Sequence, residues 1–300
     1  MIEPGPLRAL EAEVTAALAE RDASRLRLLG HGEISLVVGW PPGDPTVACK
    51  RLPPFRDDAA FERYAAVVRR YIRELRAGGV RVVETELHSV VRPDGRVVGF
   101  HVQPALPAHT LGSEVLRRGD ATRGHPIVAA VTDAVASATH PRLGVDAQLS
   151  NWAWLDGEPW QLDLTTPFLL DEHRRPEFDL TPFLAMLPAA IRPLVRLEML
   201  SMIRRWTTAR GALLDMVANL LKERLEPWVD AALTEVNARV APPISRDEAA
   251  RVYHGDRRLW PLLLRLERAN RWWQRTVRRR EFEFLVPERT TYEEAGSGRP

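Results

Sequence analysis

Within the stretch VDAQLSNWAWLDGEPWQLDLTTPF, residues 145–168, stand Asp146, Asn151 and Asp163. A plain hairpin needs none of these polar side chains. Phosphoryl transfer needs a carboxylate beside the attacking hydroxyl and oxygen ligands that hold Mg²⁺ against the phosphates. Asp146 and Asn151 form a D-x-x-x-x-N pattern, and Asp163 closes the hairpin in QLDLT. A loop Asp followed by a hairpin with Asn at one end and Asp at the other sets such oxygens side by side. Alone, the pattern is common. Trp152, Trp154, Trp160 and Leu162 read as hairpin core rather than as a binding surface.

Upstream segments add weight in sequence order. GHGEISLV carries Gly30, Gly32 and Ser35 at the spacing of a phosphate-covering loop. Glycines there let backbone approach phosphate oxygens, although a tight hairpin turn uses the same residues. In VACK, strand alternation puts Ala48 and Lys50 on one face and Cys49 on the other. Ala48 leaves room for a flat base, Val37 in the preceding strand covers it, and Lys50 reaches toward phosphates or sits solvated at an edge. Cys49 reads as core. A carboxylate to hold Lys50 is expected from the helix over 57–77: Glu62, with Glu74 as the alternative, and an exposed helix glutamate as the bland reading of either.

Those residues have to be positioned by two different kinds of structure. Residues 1–24 hold a leading helix, with Leu7, Leu10, Val14 and Leu18 at helical spacing. Between 25 and 107 the pattern is β-β-β-α-β-β: two runs around the glycine turn, then TVACKRL, the helix of 57–77 stopped by Gly78–Gly79, and two strands joined at Pro93–Asp94–Gly95. A helix is expected over 125–140, then the hairpin turning at Asp156–Gly157. From about 179 to 280 almost everything is helical by period, broken at Pro188, Pro193, Pro227, Pro242–Pro243 and Pro261; residues 108–288 are thus expected to form a helical lobe that also carries the catalytic and metal loops, and 289–300 read as a disordered tail. The expected fold class is therefore α+β: a small antiparallel-sheet lobe with one main helix, a larger helical lobe, and a ligand cleft between them.

Bulk properties narrow the function classes. With 300 residues the chain can bury a substantial core, and 45% hydrophobic with 27% charged residues is ordinary for a globular protein. A formal net charge of +2 gives no case for nucleic-acid binding. Cys49 is the single cysteine, which excludes an internal disulfide or a cysteine metal cluster. No signal peptide or transmembrane span is readable, so a cytoplasmic location is expected. Lys50 and Lys222 are the lysines among 42 basic residues, and a retained Lys marks a place that wants a compact ammonium.

Taken together, the glycine loop, Lys50, the helix glutamate, Asp146, Asn151 and Asp163 resemble the protein-kinase-like superfamily, in particular its aminoglycoside phosphotransferase and choline kinase branch. The resemblance covers about residues 25–168. It implies Asp146 as catalytic base, Asn151 and Asp163 as Mg²⁺ ligands, Lys50 on the α/β-phosphates of ATP, and a hinge at Gln103–Ala105 whose backbone meets the adenine. Three positions depart from the branch: Gly144 and Gln148 stand where it usually has histidines, and Ser35 replaces the third loop glycine. The implied activity is transfer of the γ-phosphate to a hydroxyl of a small molecule. A nucleotide-binding pseudokinase is the alternative. A protein Ser/Thr kinase ranks lower, since DLT at Asp163 is not D-F-G and no A-P-E segment follows.

Other signals are weaker. The basic, aromatic stretch 256–284 has the spacing of a packed helix. The histidines show no metal-ligand spacing, and His140 is expected to be structural. Asp171, Glu172 and Asp179 read as solvated loop acids rather than as a site for a cationic acceptor. The acceptor and the oligomeric state are not legible.

Overall fold

The computed structural model describes residue 2 and residues 4–20, 22–31, 36–185 and 187–255. The stretch 256–284 and the tail of 289–300 therefore lie outside the described residues, as do Gly32 and Ser35. The expected α+β plan is observed: an antiparallel sheet in the first part of the chain, helices in the rest.

Strands β1 (Leu28–His31), β2 (Leu36–Trp40), β3 (Val47–Arg51), β5 (Glu86–Val91) and β6 (Val97–Pro104) form one sheet in the order β1-β2-β3-β6-β5. Helix α1 (Pro4–Glu20) covers one face. Leu7, Leu10, Val14 and Leu18 pack there with Val38, Cys49, Phe100 and Val102. A buried ion pair ties helix to sheet: Arg51 Nε and Nη2 donate to Glu11 at 2.7 and 2.9 Å, with both side chains about 5% exposed or less.

Helix α2 (Asp58–Ala77) covers part of the other face. Its Phe61, Tyr64, Ala65, Val68, Tyr71, Ile72 and Leu75 recur at helical spacing and are all buried. Burying Phe61, Val68, Ile72 or Leu75 contributes roughly 1.5–3 kcal/mol each. Asp57 caps the start by accepting from the Ala60 N–H at 2.8 Å. Gly79, at φ +86°, turns the chain at the end, a conformation open to glycine. At Gly99 of β6 the helix approaches closely, since a Cβ there would lie 2.6 Å from the Phe61 ring.

The second strand pair expected after α2 is interrupted. Arg81–Val82 split off as a short β4 that runs parallel to β8 (Glu158–Gln161), which forms the hairpin with β7 (Trp152–Leu155). The helical part contains α3 (Gly112–Arg118), absent from the sequence reading, α4 (Pro126–Ala138), α5 (Thr181–Leu184), α6 (Arg192–Trp206), α7 (Ala209–Lys222) and α8 (Val229–Asn237), with a further helical stretch at 246–255. Pro182 and Pro193 lie in first turns, where a missing N–H costs nothing, so they start helices rather than interrupt them. Helix α7 is buried from Gly211 to Leu220 and forms the centre of this part.

Candidate functional site

Strand register assembles the first wall. Val37 pairs with Lys50 and Lys50 with His101, while Ala48 pairs with Gln103. Paired residues share a face, so Val37, Ala48, Lys50, His101 and Gln103 line one side. Cys49 points to the α1 side, fully buried, and burial pushes its thiol up to about 12. Gly30 pairs with Val37 at the sheet edge.

The hairpin supplies the second wall. Lys50 Nζ donates to Asp163 Oδ2 at 2.6 Å, with the side chains 18% and 29% exposed. The Thr165 N–H donates to Asp163 Oδ1 at 2.9 Å. Burial alone would raise the Asp163 carboxyl, but the Lys50 ammonium and the Thr165 bonds outweigh it and hold it near 2. Asp146 is nearly enclosed. Its Oδ2 accepts from Asn151 Nδ2 at 2.7 Å, its Oδ1 from the Gln148 N–H at 3.0 Å, and Trp152 Nε1 donates to its carbonyl at 2.7 Å. Burial dominates here, helped by the charges of Asp163 and Asp215, and pushes the Asp146 carboxyl up to about 7. Two acids in one site thus have opposite character: one stays ionised, the other exchanges a proton near neutrality.

Asn151 and Asp163 are the oxygen donors expected for a metal. Among the described residues no three His, Cys, Asp or Glu side chains are grouped as a metal site. One amide and one carboxylate still fit Mg²⁺, which keeps several waters and takes the remainder of its ligands from phosphate.

Helix α2 does not supply the expected carboxylate. Glu62 is half exposed and pairs with Arg69 at 3.3 Å, and Glu74 lies 3.9 Å from Arg70. Both are off the buried stripe of the helix, so neither meets Lys50. Tyr64 and Tyr71 occupy the site-facing positions instead. Tyr64 Oη donates to the Thr165 carbonyl at 2.8 Å and lies 3.0 Å from His101 Nε2; Tyr71 Oη donates to the Gly144 carbonyl at 3.0 Å. Burial, then the Lys50 charge, pushes the His101 imidazole down to about 3 and keeps it neutral.

The expected hinge is also modified. The Ala105 N–H donates to the Thr46 carbonyl at 2.9 Å, and residue 104 is a proline without an N–H. Backbone donors at 104 and 105 are thus not offered to a base. The Gln103 side chain turns to the hairpin, donating to Leu162 O at 2.8 Å and Thr85 Oγ1 at 2.9 Å.

The two positions without histidine have structural explanations. A Cβ on Gly144 would lie 2.9 Å from both the Phe168 Cβ and the Trp206 carbonyl oxygen, so no side chain fits. Gln148 Nε2 donates to Asp215 Oδ2 of α7 at 2.8 Å. Asp215 is 7% exposed and was missed from sequence, although an acid inside GALLDMVANLL must find a partner when buried. His101, Tyr64 and Tyr71 were missed as well. His140 Nδ1 accepts from the Arg142 N–H, a structural role, and Asp171 and Asp179 accept from local backbone N–H groups.

Fold and site define a two-part α+β protein whose sheet lysine and hairpin carboxylates meet at one place. The chain belongs to DUF6206, described as a family of unknown function, whose model matches residues 9–271. No curated protein sequence matches it. Among solved structures it is similar to a MAP kinase from Leishmania major, at 12% identity and a TM-score of 0.30 over 79% of this chain and 76% of that one. Among the described residues no helix is long and apolar enough to cross a membrane.

Proposed function

We propose that the protein is an ATP- and Mg²⁺-dependent phosphotransferase that moves the γ-phosphate to a hydroxyl of a small molecule, acting in the cytoplasm. The observation that carries this reading is the meeting of Lys50 with Asp163 at 2.6 Å, beside the Asp146–Asn151 bond of 2.7 Å. A phosphate-binding cation, metal-binding oxygens and a carboxylate with a raised pKa are the parts such a transfer uses.

In this reading residues 25–107 hold the nucleotide, with Val37 and Ala48 against the base, Gly30, Gly32 and Ser35 over the phosphates, and Lys50 on the α/β-phosphates. The helices that follow the sheet, α3 to α8, receive the acceptor. Asn151 and Asp163 would hold Mg²⁺, which neutralises phosphate charge. Asp146 orients the acceptor hydroxyl and takes its proton while the new O–P bond forms and the bond to the ADP oxygen breaks. A carboxyl near 7 suits that exchange at neutral pH. Asp146→Asn is expected to abolish transfer from γ-labelled ATP across a panel of hydroxyl acceptors while ATP still binds. Wild-type turnover by this variant would refute the role.

A second reading is a nucleotide-binding pseudokinase. It is favoured by the lack of an α2 carboxylate on Lys50 and by the occupied Ala105 N–H. ATP-induced thermal stabilisation with neither transfer nor hydrolysis would select it.

A further inference from the structure

We infer that Tyr64 and Tyr71 are positioning residues that set the two site carboxylates relative to each other through backbone carbonyls. The inference deepens the phosphotransfer reading and rests on it. The tyrosines are seven residues apart on α2, two turns along one face, and are 3% and 0% exposed. Each reaches a different segment of the site. Tyr64 holds the Thr165 carbonyl, and the Thr165 N–H in turn holds Asp163 Oδ1 at 2.9 Å. Tyr71 holds the carbonyl of Gly144, two residues before Asp146, and the Gly144 N–H donates to the Phe168 carbonyl at 2.8 Å.

Proton accounting fixes the direction of the chain. Tyr64 has one hydroxyl proton, and the Thr165 carbonyl can only accept, so the proton lies there. His101 must then donate its Nε2–H to the Tyr64 oxygen, so the ring, which burial and the Lys50 charge keep neutral, is the Nε2–H tautomer. Helix α2 is itself anchored to the segment following Asp163: Arg70 donates to Glu177 at 2.6 and 2.8 Å. It thus acts as a ruler, placing Asp146 and Asp163 from one rigid face while contributing no charge of its own to Lys50.

Tyr64→Phe and Tyr71→Phe remove one oxygen each and keep the ring packing. Amide hydrogen exchange on the full chain reads the positioning directly. Tyr64→Phe is expected to speed exchange in 163–168 by roughly fivefold and leave 144–148 unchanged; Tyr71→Phe is expected to do the reverse. Binding of methylanthraniloyl-ATP, with Mg²⁺ and with EDTA, separates positioning from general support. Tyr64→Phe should weaken only the Mg²⁺-dependent part of the affinity, by a similar factor, and Asp163→Asn should remove that part. Equal loss with and without Mg²⁺, uniform acceleration of both segments, or no change in either overturns the inference. Wild-type protein that binds no nucleotide overturns the phosphotransfer reading instead, and the exchange pattern then decides whether the tyrosines hold these segments.

Discussion

Gly144→Ala tests whether close packing keeps position 144, two residues before Asp146, without a side chain. The added methyl would meet the Phe168 Cβ at 2.9 Å, the Trp206 carbonyl oxygen at 2.9 Å and the Trp206 carbonyl carbon at 3.1 Å. None of these is the far end of a flexible side chain, so relief requires backbone movement. Overpacking of this kind costs about 1–3 kcal/mol. Loss of glycine freedom in the unfolded chain returns about 0.4–1 kcal/mol, because Gly144 is not in the left-handed region and alanine can adopt its backbone. The net is a destabilisation of about 1–2 kcal/mol, read as a fall in Tm of about 2–3 °C for a chain of 300 residues. Gly144→His should lose more. Gly43→Ala, with nothing within 4 Å of its Cβ and no left-handed backbone, is the control and should show only the gain of about 0.4–1 kcal/mol. Thermal unfolding followed by circular dichroism measures all three. A Gly144→Ala protein as stable as the parent would refute the packing account.

Breaking the buried Glu11–Arg51 pair from one side, as Arg51→Ala, should cost about 3–5 kcal/mol in urea unfolding, and Arg51→Met with Glu11→Leu should recover part of it. The Asp146 carboxyl, raised from 3.8 to about 7, binds its proton more tightly in the folded than in the unfolded chain, so its ionisation costs stability progressively as pH rises from 4 to 7. Asp146→Asn escapes this penalty. Its stability relative to the parent should therefore increase between pH 5 and pH 8, by about 2–3 kcal/mol, and a pH-independent difference would refute the buried-carboxyl reading. Cys49, buried and with its thiol near 12, should not react with a disulfide reagent until the protein unfolds.

The parts of the site that depend on local geometry were legible in the sequence. Alternation along VACK separates Lys50 from Cys49, because neighbouring strand residues always face opposite ways. The loop from Asp146 to Asn151 is short enough that the two side chains meet. Helix α2 follows from its periodic apolar stripe, its Asp57 cap and its glycine stop. The partner of Lys50 was not legible in the same way. A search for charge singles out Glu62 and Glu74, yet only residues on the buried stripe of α2 can reach the sheet, and those include Tyr64 and Tyr71. The stripe itself was the missed signal. Asp163 as the lysine's partner depends on a contact across 113 residues, which no local pattern encodes.

The apolar interior divides in a place that the chain order does not indicate. One cluster joins α1 to the back of the sheet; the other runs without interruption from Phe55 and α2 through the hairpin to α7 and α8. Sequence order would split the molecule near residue 107, but α2 belongs with the helices that follow. Cooperative opening should therefore begin as a peeling away of α1 with β1 and β2. The lysine-bearing strand lies at the border between the layer that loosens and the layer that holds.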